Sequence, residues 1–165
     1  LLLFLTLNQS QANTELIQYA QGTFSAIPTA AEMESIRSAK VDESVSGLNL
    51  LMRPIVASRL SEFPHQCMEY NISTTVDTLS IQCDELTRIH VQLNGTATQY
   101  PKPDGTTFDV VAVVDRTTIV QEFPGKNGNL LVTYEFSDGY LLVTKSVDST
   151  HLTKPMNLIA RYKQQ

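Results

Sequence analysis

The sequence contains no tryptophan, only two cysteines and three histidines, and no excess of basic residues. Two cysteines without clustered histidines cannot fill a tetrahedral shell, so neither a metal site nor a metal cofactor is expected. Lysine and arginine number 12 against 17 aspartates and glutamates, and this acidic balance argues against a nucleic-acid partner. Beyond the N-terminus no apolar run approaches the roughly 18 residues of a membrane-spanning helix, so none is predicted in the mature chain.

Motifs that carry catalysis are also missing. The chain has no Gly-x-Ser-x-Gly elbow, phosphate-binding loop, His-Glu-x-x-His pair or paired-carboxylate motif. A catalytic triad assembled from distant residues stays open, so the sequence leaves enzymatic activity undecided and does not favour it. The sequence gives no reason to expect a cofactor.

The C-terminal half shows a regular alternation of apolar and polar residues. From Thr107 to Lys163, strand-like segments are separated by turn pairs such as Asn127-Gly128 and Asp138-Gly139, a pattern typical of antiparallel hairpins. A meander this long must close on itself or cover its edges. We therefore predict a mainly β fold, an antiparallel meander closed into a barrel of about eight to ten strands over residues 66–164. Residues 101–105 are predicted to form an exposed loop.

Between residues 29 and 61 the apolar spacing changes to every third or fourth position. Thr29 and Glu32 have the spacing of a capping box, in which each side chain accepts a hydrogen bond from the other residue's amide. An apolar stripe follows and predicts a helix from about Thr29 to Ser46. The stripe consists of Met33, Ile36, the stem of Lys40, Val41, Val45 and Leu48. Pro54 suits the first turn of a second helix ending near Ser61, and this helix-turn-helix is expected to pack on or cap the barrel.

The first twelve residues resemble the back half of a secretory signal peptide. Leu1–Leu7 is almost purely apolar, and Ser10 and Ala12 place small residues at positions −3 and −1 of a cleavage site. A frayed apolar terminus or a stripped membrane anchor is the alternative. We expect residues 1–12 to be a truncated signal peptide, residues 13–165 to be a single domain, and the protein to be secreted or periplasmic.

The two cysteines, Cys67 and Cys83, are candidates for a disulfide. An even number of cysteines in a secreted chain favours a bridge between the two strands of one hairpin. Strand phase argues against it, because Cys67 is out of phase with Tyr70 and Ile72, and a disulfide needs Cβ atoms within about 4.5 Å. A bulge after Pro64 would restore the pairing, so the sequence leaves both possibilities open.

Candidate ligand-binding residues lie on the bulkier face of the strands and beside apolar stretches of the helices. An eight-stranded barrel is either filled by its own side chains or holds one small ligand, and the sequence does not choose between these states. An inward arginine would clamp a carboxylate, whereas a surface arginine would only pair with neighbouring acids. The candidates are Phe108, Tyr134, Phe136, Tyr140, Tyr162, Arg53 and Arg59.

Two segments carry a resemblance to a known family. The segment Asn49–Leu60, with Arg53 and Pro54, and the ending Leu152–Lys163 are similar to uncharacterised bacterial secreted lipocalin-like proteins. The order of helices, hairpin and meander also resembles the calycin plan of lipocalins and fatty-acid-binding proteins. Phe24 stands where the lipocalin Gly-x-Trp signature has tryptophan, and adjacent Arg161-Tyr162 does not match the Arg-x-Tyr pair of fatty-acid-binding proteins.

The resemblance implies a lipocalin-like barrel, a location in the Gram-negative envelope, and binding of a lipophilic ligand. We therefore expect a secreted or periplasmic binding protein for a small lipophilic molecule in a barrel cavity. The alternative is a structural or protein-interaction barrel with a filled interior, whose partner protein the sequence does not identify.

Overall fold

The computed structural model of the chain describes residues 16–62, 64–86, 88–101, 107–125 and 127–165. The expected signal peptide at residues 1–12 lies outside them. Within the described residues the chain forms ten strands and two complete helices, and none of its helices is long and apolar enough to cross a membrane. The elements are β1 (Gly22–Ala26), α1 (Ala30–Val45), α2 (Met52–Glu62), β2 (Glu69–Thr74), β3 (Thr78–Cys83), β4 (Ile89–Gln92), β5 (Thr98–Pro101), β6 (Thr107–Asp115), β7 (Thr118–Gly125), β8 (Gly128–Ser137), β9 (Tyr140–Ser149) and β10 (Met156–Gln164).

The ten strands form one antiparallel sheet in the order β4-β3-β2-β1-β10-β9-β8-β7-β6-β5. The first strand joins the two halves of the chain, because Phe24 pairs with Tyr70 of β2 on one side and with Gln164 of β10 on the other. The two edge strands, β4 and β5, meet where the Tyr100 hydroxyl donates to the His90 carbonyl at 2.6 Å. The sheet therefore curls into a nearly closed barrel, which confirms the predicted fold class.

The turns of the meander follow from local chemistry. Ser137 pairs with Tyr140 across the predicted Asp138-Gly139 turn, where Gly139 adopts a φ of +69°. Glycine has no Cβ and adopts this left-handed conformation without the steric cost that other residues bear. The predicted turn pair is confirmed at this position.

One predicted loop is partly a strand. Residues 101–105 were expected to be an exposed loop, but β5 continues to Pro101, and the rest of that loop lies outside the described residues. Proline is tolerated at the end of a strand on a sheet edge, because no ladder amide is needed there.

The capping box begins α1 as predicted. The Glu32 amide donates to Thr29 Oγ1 at 3.3 Å, and the Thr29 amide donates to Glu32 Oε2 at 2.8 Å. Met33, Val41 and Val45 are buried, but Ile36 is 40% exposed, so its place in the apolar stripe was wrong. At about 100° per residue, Ile36 lies roughly 140° around the helix from Val41, outside the face that packs on the barrel.

The second helix begins at Met52, so Pro54 lies in its first turn as predicted. Asn49 favours this start, because its Oδ1 accepts hydrogen bonds from the amides of residues 51 and 52 at 3.1 and 2.9 Å. Side-chain oxygens that satisfy the first free amides of a helix favour its start at that point.

Both helices pack on β9 and β10, near the connection between these two strands. An apolar cluster separate from the barrel core joins them to β9 and β10. The Thr153 hydroxyl, in the β9–β10 connection, donates to the Ser44 carbonyl at 3.0 Å. The cluster consists of Val41, Val45, Leu60, Val147, Met156 and Leu158.

Candidate ligand-binding cavity

A cavity of about 800 Å³ lies inside the barrel. The alternation along β8 turns Leu130, Val132 and Tyr134 toward it, while the residues between them face outward. Its rim includes the exposed residues Asn127 and Asp148, so the cavity communicates with solvent. The volume falls within the roughly 300–1,000 Å³ range of small-molecule sites, so the interior is not filled by its own side chains.

Among the described side chains, three of the predicted aromatic residues are buried, and one of these three lines the cavity. Tyr134 is part of its wall. Phe136 packs instead against Phe24, with ring centroids 5.9 Å apart. The Tyr162 hydroxyl donates to the Cys67 carbonyl at 2.9 Å and ties β10 to the segment before β2. Phe136 and Tyr162 therefore belong to the packed part of the barrel.

Tyr140 faces away from the cavity. Leu141 and Val143 are the inward residues of β9, so Tyr140 is in the outward phase, and its ring lies 4.3 Å from the Arg161 guanidinium carbon. The side chain of Phe108 lies outside the described part of the chain, and its predicted role stays a prediction.

The two predicted arginines are on α2 and are not part of the cavity wall. Both are exposed, and the Arg53 guanidinium lies 3.9 Å from an Asp42 carboxylate oxygen. This placement agrees with the alternative interpretation, in which surface arginines pair with neighbouring acidic residues. Neither Arg53 nor Arg59 is placed where a ligand in this cavity would touch it.

Sequence reasoning missed the lysine in the cavity wall. Lys145 follows Leu141 and Val143 in the inward phase of β9, and that alternation was the available signal. Its ammonium group donates to the His65 carbonyl and lies 5.8 Å from the centre of the Tyr70 ring.

Burial lowers the pKa of Lys145 from 10.5 to about 8, because the charged form loses hydration. The nearby Arg37 lowers this pKa further, and Asp84 partly offsets the effect. Asp84 is already engaged by the amides of Met68 and Glu69, at 2.9 and 2.8 Å from its Oδ1. Lys145 is therefore an amine that faces the cavity and loses its proton at a lower pH than an exposed lysine does.

Tyrosines form the polar part of the cavity wall beside this lysine. The ring of Tyr70 lies 5.9 Å from that of Tyr134 and 5.0 Å from that of Tyr162. Among the described residues the Tyr70 hydroxyl has no hydrogen-bond partner of good geometry, although it is buried near Tyr162. Burial raises the pKa of all three hydroxyls, so they stay protonated. Tyr70 and Tyr134, which line the cavity, can donate to a ligand oxygen, whereas the Tyr162 hydroxyl already donates to the Cys67 carbonyl.

Arg88 is a second cation in the cavity wall, and it has a partner. Its Nη2 donates to Gln82 Oε1 at 2.9 Å. Its guanidinium group adds a positive charge to the wall.

The disulfide between Cys67 and Cys83 forms part of the same wall, with the two Cα atoms 5.3 Å apart. The strand-phase objection does not apply, because Cys67 precedes the first residue of β2 and follows no strand alternation. Asp84 and His65 lie next to the bridge, 3.1 Å from each other. Since Cys83 is oxidised, this group cannot offer a thiolate to a metal ion.

The strand order and the helix pair after the first strand give this chain a barrel fold that it shares with solved fatty-acid-binding proteins. No protein-family model and no curated protein sequence matches this chain.

Solved structures share the fold at low sequence identity. A fatty-acid-binding protein of Schistosoma mansoni, in complex with arachidonic acid, is 12% identical over 91% of this chain and 98% of its own, with a TM-score of 0.55. A fatty-acid-binding protein from brain tissue of Drosophila melanogaster is 16% identical over 88% and 98%, with a TM-score of 0.51. An abundant heat-soluble (SAHS) protein of Ramazzottius varieornatus is 14% identical over 88% and 94%, with a TM-score of 0.54.

Proposed function

We propose that this chain is a secreted or periplasmic protein that binds one small lipophilic molecule inside its barrel. The observation that carries the proposal is the open cavity of about 800 Å³, walled by apolar and aromatic side chains with a few polar groups. Such a composition stabilises a ligand mainly by burying its apolar surface, while the polar groups fix its orientation. The cavity also weighs against the alternative of a barrel with a filled interior.

The proposed location rests on the apolar N-terminal sequence and on the disulfide. Bridges such as Cys67–Cys83 persist mainly in oxidising compartments, which include the bacterial periplasm and the extracellular space. In a reducing cytosol the thiols would be kept apart by cellular reductants. The disulfide therefore supports a compartment outside the cytosol.

Similar barrels suggest which ligands to test first. Two of the solved structures above are fatty-acid-binding proteins, and one of them contains arachidonic acid. Long-chain fatty acids are accordingly the first ligands of the screen. Retinoids and haem complete the panel because they too are apolar molecules with a polar group.

A single introduced tryptophan tests whether the ligand enters the barrel. The chain has no tryptophan, so Leu130→Trp in the cavity wall provides a unique fluorophore. Val113, 62% exposed on β6, gives the matched control Val113→Trp on the outer surface. Brominated stearic acid quenches tryptophan only at short range, and native mass spectrometry counts the ligands that remain bound.

We expect one ligand per chain and quenching of the Leu130→Trp variant but not of the Val113→Trp control. Equal quenching of both variants would indicate adsorption to the surface. If no ligand of the panel remains bound and neither variant is quenched, the proposed function is rejected.

A further inference from the structure

The cavity wall contains an amine for which the proposed binding function gives no specific role. Lys145 is the lysine among the described residues that line the cavity, and its ammonium group donates to the His65 carbonyl. Within the described residues, the ion pairs include no carboxylate within 4.0 Å of it. A partly buried cation with no carboxylate in contact is destabilised by the water that it loses.

We propose that Lys145 forms a reversible imine with a long-chain aliphatic aldehyde bound in the cavity. The inference rests on the proposed function, because the apolar chain of the aldehyde would occupy the barrel. It adds a ligand class and a covalent attachment point that binding alone does not require.

The step needs no oxidant, reductant or cofactor. The Nζ lone pair attacks the aldehyde carbon to give a carbinolamine, and the C–N bond then becomes C=N. The two hydrogens of the neutral amine leave with the aldehyde oxygen as one water molecule. Neither partner is oxidised or reduced, and water reverses the reaction.

The surroundings of Lys145 favour formation of the imine over retention of the charged ammonium group. A buried amine reaches the neutral, nucleophilic state more readily than an exposed one, because burial penalises the ammonium form. With a pKa of about 8, Lys145 is a neutral amine in about a quarter of the protein molecules at pH 7.5. Imine formation then replaces a buried charge by a neutral bond, which removes the cost of keeping an ammonium group out of water.

Tyr70 is the hydrogen-bond donor for the same step. It lines the cavity beside Lys145, and its buried hydroxyl lacks a hydrogen-bond partner of good geometry among the described residues. A protonated hydroxyl donates to the carbonyl oxygen and so stabilises the negative charge that develops there during attack. The rim of the cavity gives the released water a way out.

Borohydride trapping tests the proposal on the full chain. The protein is incubated with less than one equivalent of hexadecanal and reduced with sodium borohydride, and the labelled peptide is identified by mass spectrometry. The added mass should equal that of the aldehyde less one oxygen atom. Because the bound chain is held near the amine, we expect labelling of Lys145 to exceed that of exposed Lys163 by about tenfold or more.

Two variants and one analogue complete the design. Lys145→Arg keeps a positive charge but cannot form the imine, so the adduct should disappear. The matched variant Lys163→Arg, at an exposed position of β10, should retain it. In an otherwise wild-type chain, Tyr70→Phe should slow adduct formation while leaving Lys145 as the labelled residue. Hexadecanol, which has the same chain without a carbonyl, should compete with the aldehyde.

The outcomes separate the two proposals. Binding of hexadecanol without a Lys145 adduct overturns the imine and leaves the proposed function standing. Labelling spread evenly over the lysines, or an undiminished adduct in Lys145→Arg, also overturns it. If neither hexadecanol nor hexadecanal binds, both the imine and the proposed function are rejected.

Discussion

Replacing Lys145 by methionine removes a partly buried positive charge while keeping a long, unbranched side chain in the barrel. In the folded protein burial lowers the pKa of this lysine from 10.5 to about 8. That fall corresponds to a cost of about 3 kcal/mol at pH 7, where the group is protonated in both the folded and the unfolded chain. The loss of the hydrogen bond to His65 offsets about 1–2 kcal/mol of it, so the variant should be about 1–2 kcal/mol more stable than wild type at this pH.

The pH dependence is the sharper part of this prediction. Between about pH 8 and pH 10.5 the unfolded chain keeps the Lys145 proton while the folded chain has released it. Stability therefore rises with pH in that window in wild type but lacks this contribution in Lys145→Met. From pH 7 to pH 9.5 the wild type should gain about 2 kcal/mol relative to the variant.

Urea unfolding of both proteins, followed by far-ultraviolet circular dichroism at half-unit steps of pH, measures this difference. Contributions from other titrating groups largely cancel, because the two chains differ at one residue. Lys163→Met, at an exposed position of β10, is the control and should follow wild type across the series. A stability difference between wild type and Lys145→Met that stays constant from pH 7 to pH 9.5 would refute the reasoning.

Three further predictions concern the frame of the cavity. Cys67 and Cys83 are 16 residues apart in the sequence, and reduction of the bridge between them should lower the free energy of unfolding by about 3 kcal/mol. Urea titration with and without reductant measures this change. Tyr162→Phe removes the buried hydrogen bond to the Cys67 carbonyl and should cost about 1–3 kcal/mol in thermal or urea unfolding; an unchanged midpoint would show that another donor replaces it. Gly128→Ala should destabilise the barrel strongly in the same assay, because the added Cβ would lie 2.0 Å from the Asp148 carbonyl oxygen, whereas Gly139→Ala, where the space is open, should cost less.

Local chemistry explains the parts of the fold that the sequence predicted well. The capping box of Thr29 and Glu32 and the Asp138-Gly139 turn depend on residues that are neighbours along the chain. The alternation along β8 likewise needs only the two-residue period of a strand. Such signals do not depend on how distant segments meet, so the barrel class followed from them.

The cavity residues were harder to predict, because their positions depend on which strand faces which. Among the described side chains, the aromatic face of the strands contained one cavity residue, Tyr134, and two residues of the packed interior, Phe136 and Tyr162. The expectation for Tyr140 failed because one step along β9 reverses the direction of a side chain. Lys145, a charged residue at an inward-facing position of β9, was the signal that sequence reasoning did not use.

The sequence by itself determined the strand rhythm, the turns and the start of the first helix, since each of these is set by interactions over a few residues. Only the tertiary structure decided that Cys67 reaches Cys83, that the interior stays open, and that Lys145 points into it. The physical reason is that a cavity is defined by the curvature of the whole sheet. That curvature arises when β1 pairs with both β2 and β10, residues far apart in the chain, and no local pattern encodes the space that remains inside.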